Sequence, residues 1–132
     1  MPGLHFEFVS PEAVLFSGDV DQVDLPGIEG DLGVLPGHAP MVTLLRPGIV
    51  TIMREGQREP VVVVGGFAEM GPGGLTVLAE RAGSREDFDL DSLARDIKDV
   101  EEDVADCGDD AQRDKLSRRL DQLRALQAVL GQ

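Results

Sequence analysis

Over residues 4–81, apolar and polar positions alternate in short runs. Leu4, Phe6 and Phe8 alternate with His5, Glu7 and Val9, and Val23 and Leu25 alternate with Gln22 and Asp24. A period of two predicts strands with one buried face and one wet face. The runs 41–45 and 48–54 are separated by Arg46-Pro47, and the second meets 58–64 across Glu55-Gly56-Gln57, which reads as a short hairpin turn. Val61 to Val64 are apolar on both faces, as a central strand covered on both sides requires. After Pro72-Gly73-Gly74, residues 75–78 form a last strand. Many short strands with closely spaced turns predict a two-sheet sandwich or flattened barrel, because one open sheet of this extent would expose its edges.

At Gly83-Ser84 the period changes from two to about 3.6, and this marks a boundary between residues 1–85 and 86–132. Leu90, Leu93, Ile97, Val100 and Val104 recur at intervals of three and four behind Asp89, a candidate N-cap, so a helix is expected over about 90–106. Cys107-Gly108-Asp109-Asp110 breaks it. Leu116, Leu120, Leu123, Leu126 and Leu130 define a second helix through Leu130, which Gly131 stops. So short a connection returns the second helix antiparallel to the first. The fold class is therefore α+β in two parts: an antiparallel β-sandwich followed by a two-helix hairpin. Both apolar stripes are narrow, which predicts a weakly closed hairpin. The first helix is acidic and the second basic, through Arg113, Lys115, Arg118, Arg119 and Arg124. Exposed pairs between them are worth only about 0.2–1 kcal/mol each.

The 132 residues suffice for one core or a small core with an appendage. A net charge of −13 argues against nucleic-acid binding, since phosphates would be repelled, and favours solubility or a basic protein partner. One cysteine, Cys107, cannot form an internal disulfide and fits a reducing compartment. The opening Met1-Pro2-Gly3-Leu4-His5 has no basic-then-apolar leader, and the longest apolar run is far below the ~20 residues that span a bilayer. Any association with a membrane is then expected to come through a partner. His5 and His38 are the two histidines, Cys-x-x-Cys and His-x-x-x-His spacings are absent, and no phosphate-loop pattern occurs, so neither a catalytic constellation nor a metal site is predicted. Gly65-Gly66 reads as a close approach of strands rather than a phosphate cradle, because no helix follows it.

The densest stretch is 26–40, with four glycines and three prolines bracketing Ile28, Leu32, Val34 and Leu35. Apolar residues between chain breakers indicate tight, packed turns rather than a linker. Glu29 and Asp31 flank Gly30 and belong on an exposed acidic rim, since an unpaired charge is not buried. This string, with Pro47-Gly48, Val64-Gly65-Gly66-Phe67-Ala68-Glu69, the opening Ser10-Pro11-Glu12 with Phe16-Ser17-Gly18, and Val77-Leu78-Ala79-Glu80, resembles the epsilon subunit of rotary F-type ATP synthases over nearly all of 1–85.

The resemblance implies a sandwich of about ten strands on the central stalk, coupling proton flow to rotation without bond chemistry of its own. It implies three partners: the gamma subunit, the proteolipid ring and the catalytic alpha/beta head. By position in the motif, Glu29, Gly30, Asp31 and Leu32 would face the ring, and His38, Ala39 and Pro40 would lie near gamma. The location implied is peripheral, on the cytoplasmic side of the bacterial inner membrane. In the family an extended hairpin blocks ATP hydrolysis, and its basic residues here would be Arg113, Lys115, Arg118, Arg119 and Arg124. Opened end to end, the two helices would span roughly 55 Å. The role requires no cofactor. Many bacterial members bind ATP through Leu-Asp-x-x-Arg-Ala, but here Leu90-Asp91-Ser92-Leu93-Ala94-Arg95 places the arginine one residue late, about 100° around the helix. Asp91, Arg95 and Arg119 remain the nucleotide candidates, with Arg124 available. Two other classes stay open: a free-standing nucleotide sensor, and a small hydrolase using His38.

Overall fold

A computed structural model describes residues 3–131. Met1 and Pro2, on which the expectation about a leader partly rests, and Gln132 lie outside the described residues. Eight strands come first: β1 (Leu4–Val9), β2 (Val14–Val20), β3 (Gln22–Gly27), β4 (Gly30–Val34), β5 (Met41–Leu45), β6 (Gly48–Arg54), β7 (Gln57–Gly71) and β8 (Gly74–Gly83). A 3-10 turn (Arg85–Asp87) then leads into α1 (Leu90–Asp106) and α2 (Asp110–Leu130).

The strands run in the order β2-β1-β8-β7-β5-β3-β4, and β6 pairs with both β3 and β7. Among the described residues, only β1 and β8 pair in parallel. The long strand β7 serves two layers: residues 57–63 pair with β6 and residues 66–70 with β5. The register shifts at Gly65 and Gly66, where β7 meets β8. A Cβ on Gly66 would lie 2.0 Å from the Leu78 carbonyl oxygen, so only glycine lets the two backbones approach this closely. Counting β7 and β8 once in each layer accounts for the ten strand segments expected. The last strand is longer than the sequence pattern suggested, running to Gly83 where its outer residues turn polar.

Between the layers lies a continuous apolar core, including Phe6, Phe8, Val23, Leu25, Val50, Val63, Leu75 and Val77. Burial of a side chain of this kind contributes about 1.5–3 kcal/mol. The two-faced run divides as its pattern required: Val61 and Val63 face the sandwich core, whereas Val62 and Val64 face the helices. There Val62 joins Phe88, Leu93, Ile97, Val100, Leu120, Leu126 and Leu130 in a second core. The hairpin is therefore folded down, with α2 against β6 and β7. Asp89 caps α1, its carboxylate accepting from the N–H groups of Asp91 at 2.9 Å and Ser92 at 3.2 Å. One element of the apolar stripe differs from expectation: Leu90, the first residue of α1, is half exposed, because the first turn projects beyond the contact.

Candidate docking surface

The turn-dense stretch forms two built turns at opposite ends of β4. At one end, β3 and β4 make a hairpin in which Gly27 pairs with Gly30 across the two-residue turn Ile28-Glu29. Gly27 is buried, while Ile28, Glu29, Gly30 and Asp31 are exposed and Leu32 packs its side chain toward the sandwich core. The exposed acidic rim is thus present, but its two carboxylates differ. Asp31 accepts a hydrogen bond from Arg46, which also donates to the Gly27 carbonyl.

At the other end, the His38 N–H donates to the Leu35 carbonyl at 3.1 Å, closing the turn Leu35-Pro36-Gly37-His38. Proline sits second and Gly37 third, with φ of +81°. That is the type II arrangement, in which the third residue must take positive φ. His38 donates from Nδ1 to the Ala39 carbonyl at 2.8 Å. With Pro36, Gly37 and Pro40, its ring lines an open groove of about 380 Å³ against residues 3–5 and 70–74. Five residues of β4 separate the two turns by roughly 15 Å, so the residues expected to meet the ring and gamma lie at two separate places rather than in one patch.

Between these points lies a surface that the sequence reading did not single out. Leu44 on β5 stands opposite Phe67 on β7, which stands opposite Leu78 on β8. Val42, two residues from Leu44, shares its face. Val42 is 70% exposed, Leu44 59% and Leu78 39%, on the layer away from the helices. Cross-strand neighbours on one face make this a contiguous apolar row. Ile28, itself 59% exposed, donates its N–H to the Leu44 carbonyl at 2.8 Å, so the row runs into the acidic turn. Apolar residues at both 41 and 42 and both 44 and 45 were the available signal, since a strand with one wet face would alternate.

On the hairpin, Lys115, Arg118 and Arg119 are exposed. Arg113 donates to the Cys107 carbonyl and lies 3.7 Å from Asp110, and Arg124 pairs with Glu101 of α1 at 2.7 Å. Asp91 and Arg95 are exposed near the start of α1. With Asp96 and Leu123 lining one small cavity at the helix junction, Arg119 sits roughly 15–20 Å along the axis from Asp91. The closed hairpin does not bring these nucleotide candidates together.

Residues 3–85 match the family model described as the β-sandwich domain of the ATP synthase delta/epsilon chain. The chain belongs to the ATP synthase delta/epsilon family. Among curated members, the ATP synthase epsilon chain of Maricaulis maris is 48% identical over 126 residues, covering 96% of this chain and 95% of that one. The epsilon chain of Rhodopseudomonas palustris is 48% identical over 132 residues, covering 99% and 96%. A chain in the cryo-EM structure of the Euglena gracilis mitochondrial ATP synthase, determined with OSCP, F1 and c-ring, superposes with a TM-score of 0.78. It is 25% identical and covers 98% of this chain and 82% of that one. The relatives' near-full coverage includes the helices as well as the sandwich, so the epsilon-chain likeness is not confined to the β-domain.

Proposed function

We propose that this chain is the central-stalk epsilon subunit of a rotary F-type ATP synthase, coupling proton flow to rotation as a mechanical part with no catalytic centre. The observation that carries the reading is the apolar row Val42, Leu44, Phe67 and Leu78, continuous with the Ile28–Asp31 turn and lying on the face that the helices leave uncovered. A contiguous exposed apolar row of this kind marks a surface that a partner covers. Gamma covers the row and the His38-Ala39-Pro40 turn, and the proteolipid ring meets Glu29, Gly30, Asp31 and Leu32. The subunit is then peripheral on the cytoplasmic side of the bacterial inner membrane, held there by the complex. No helix among the described residues is long and apolar enough to cross a membrane, which agrees with attachment through partners.

The test is association with gamma. Leu44→Asp places a charge in the centre of the row without touching either core, and is expected to weaken binding to gamma at least about 100-fold, as loss of a central apolar anchor does. Unchanged binding with an intact fold would sink this assignment.

The hairpin, in this reading, inhibits hydrolysis when it opens toward the alpha/beta head, presenting Arg113, Lys115, Arg118, Arg119 and Arg124. Its closure by two narrow stripes and the exposed Glu101–Arg124 pair supports an opening of modest cost. Deleting residues 86–132 should raise hydrolysis by the reconstituted complex. Equal rates with and without the hairpin would remove inhibition from the reading and leave the docking role standing. The role needs no cofactor, and titrating ATP into the purified chain by calorimetry asks whether Asp91, Arg95 and Arg119 hold a nucleotide.

A further inference from the structure

The turn that meets the ring is held from outside its own two strands. Arg46, in the connection between β5 and β6, donates from Nη1 to the Gly27 carbonyl at 2.5 Å and from Nη2 to Oδ1 of Asp31. Its backbone N–H donates to the Pro26 carbonyl at 3.0 Å. One residue therefore fixes both feet of the hairpin, one on β3 and one on β4. At the tip the side chains of Ile28 and Glu29 are exposed, Gly30 sits at a φ of +142°, and the Ile28 N–H donates to the Leu44 carbonyl at 2.8 Å, a single backbone bond against the three that Arg46 makes at the feet. Two glycines bounding a two-residue turn leave it with large backbone freedom in the absence of a clamp.

The choice of arginine follows from geometry. A planar guanidinium serves two acceptors at once with little loss of rotamer freedom, and its hydrogen bond to a carboxylate is stronger than a neutral one. An ammonium group on a flexible stem lacks that fixed fork. The same clamp offsets the charge of Asp31, so the turn presents apolar Ile28 and unpaired acidic Glu29 as its distinctive groups beside a neutralised pair.

We infer that Arg46 is the positioning residue of the ring-docking turn: it fixes the conformation in which Ile28, Glu29 and Asp31 are offered to the proteolipid ring, without having to touch the ring itself. The inference rests on the ring-docking reading above.

The experiment uses two preparations of the ATP synthase depleted of this subunit, one soluble (head with gamma) and one complete with the proteolipid ring. Full-length wild-type chain, Arg46→Ala, Arg46→Lys and the tip variant Glu29→Lys with Ile28→Ala are titrated into each. Arg46→Ala is expected to bind the ring-containing complex about tenfold more weakly, equivalent to about 1.4 kcal/mol, while its affinity for the soluble head is unchanged. Arg46→Lys should recover part of the loss, and amide exchange at Ile28 and Asp31 should speed up in Arg46→Ala alone among these amides and those of β1. Wild-type affinity of Arg46→Ala for the ring-containing complex, with the tip variant weakened, overturns the positioning role and leaves ring docking intact. If the tip variant also binds as wild type, ring docking by this turn falls and the inference falls with it. Equal losses in both preparations would mean a general folding defect and also overturn the proposal. Should Arg46→Ala fail to fold, Arg46→Lys decides: wild-type ring affinity with unaltered exchange at the turn counts against the clamp.

Discussion

His5 holds both ring nitrogens against carboxylates, Nδ1 at 3.2 Å from Asp19 and Nε2 at 2.9 Å from Glu7. Ser17 donates its hydroxyl to the same Glu7 oxygen at 2.7 Å. Carboxylates at neutral pH only accept, so both contacts are complete only when the imidazole carries two protons. The hydrogen bond to Asp19, and after it that to Glu7, raises the His5 pKa above its ordinary 6.5. The bond from Ser17, with a smaller part from His5, lowers Glu7 below its ordinary 4.5. A raised folded-state pKa gives stability that is fully present below 6.5 and lost as pH rises through the folded value. For Glu7 the sign reverses: its share is present above 4.5 and lost as pH falls through the lowered value. Urea unfolding of wild type and His5→Gln should therefore differ most at about pH 5.5–6 and converge toward about pH 9. A constant difference across that range would show that the network does not titrate in this way. Neither this cluster nor the Arg46–Asp31 pair was legible in the sequence, because their partners lie up to 15 residues apart and meet only once the strands register. The exposure of Glu29 and Asp31 was legible, since a lone charge beside a glycine turn has nowhere buried to go.

Among the elements, the helices were the most legible and the outer strands the least. Helix ends are local chemistry: Asp89 caps α1 from one residue away, and Gly131 closes α2 with its N–H on the Gln127 carbonyl. Strand ends depend on a neighbour, which is why β8 continues through Glu80 and Arg81 to Gly83 opposite β7 although its alternation has faded. Phe88 was missed for a related reason. It stands outside both helical stripes, yet is buried at the junction under the Arg81 guanidinium, 4.4 Å from its ring centre. Leu126 tests whether the two cores act as separate elements. It is 2% exposed and packs only in the core shared by the helices and Val62. Leu126→Ala should remove about 2–5 kcal/mol from that core. Hydrogen exchange should then quicken at amides of α1 and α2, whereas those of Val23 and Val77 in the sandwich core keep their protection. Loss of protection in both sets together would mean that hairpin and sandwich open as one unit.

At the scale of the molecule, β7 is a shared wall, with Val63 buried in the sandwich and its neighbour Val62 buried under the helices. The sandwich core does not draw on the hairpin, since its buried members all come from residues 4–79. The hairpin core is different: without Val62, Ile49 and Val64 beneath them, the two helices have only each other's narrow stripes. A helix pair of this kind is marginal alone in water, so the dependence between the parts runs one way. Residues 1–85 expressed alone should therefore fold and melt cooperatively, and, if the proposed docking role holds, should bind gamma through the Val42–Leu44 face as the full chain does. They should also expose a new apolar patch at Ile49, Val62 and Val64, measurable as more binding of a hydrophobic dye than the full chain shows. Val62→Thr in the truncated chain should reduce that dye binding without lowering the melting temperature by more than a few degrees. The complementary fragment, residues 84–132, should show little helix by circular dichroism. If instead the isolated sandwich failed to fold while the isolated hairpin remained helical, the order of dependence would be reversed, and the hairpin could not leave its site while the docking surface kept its shape.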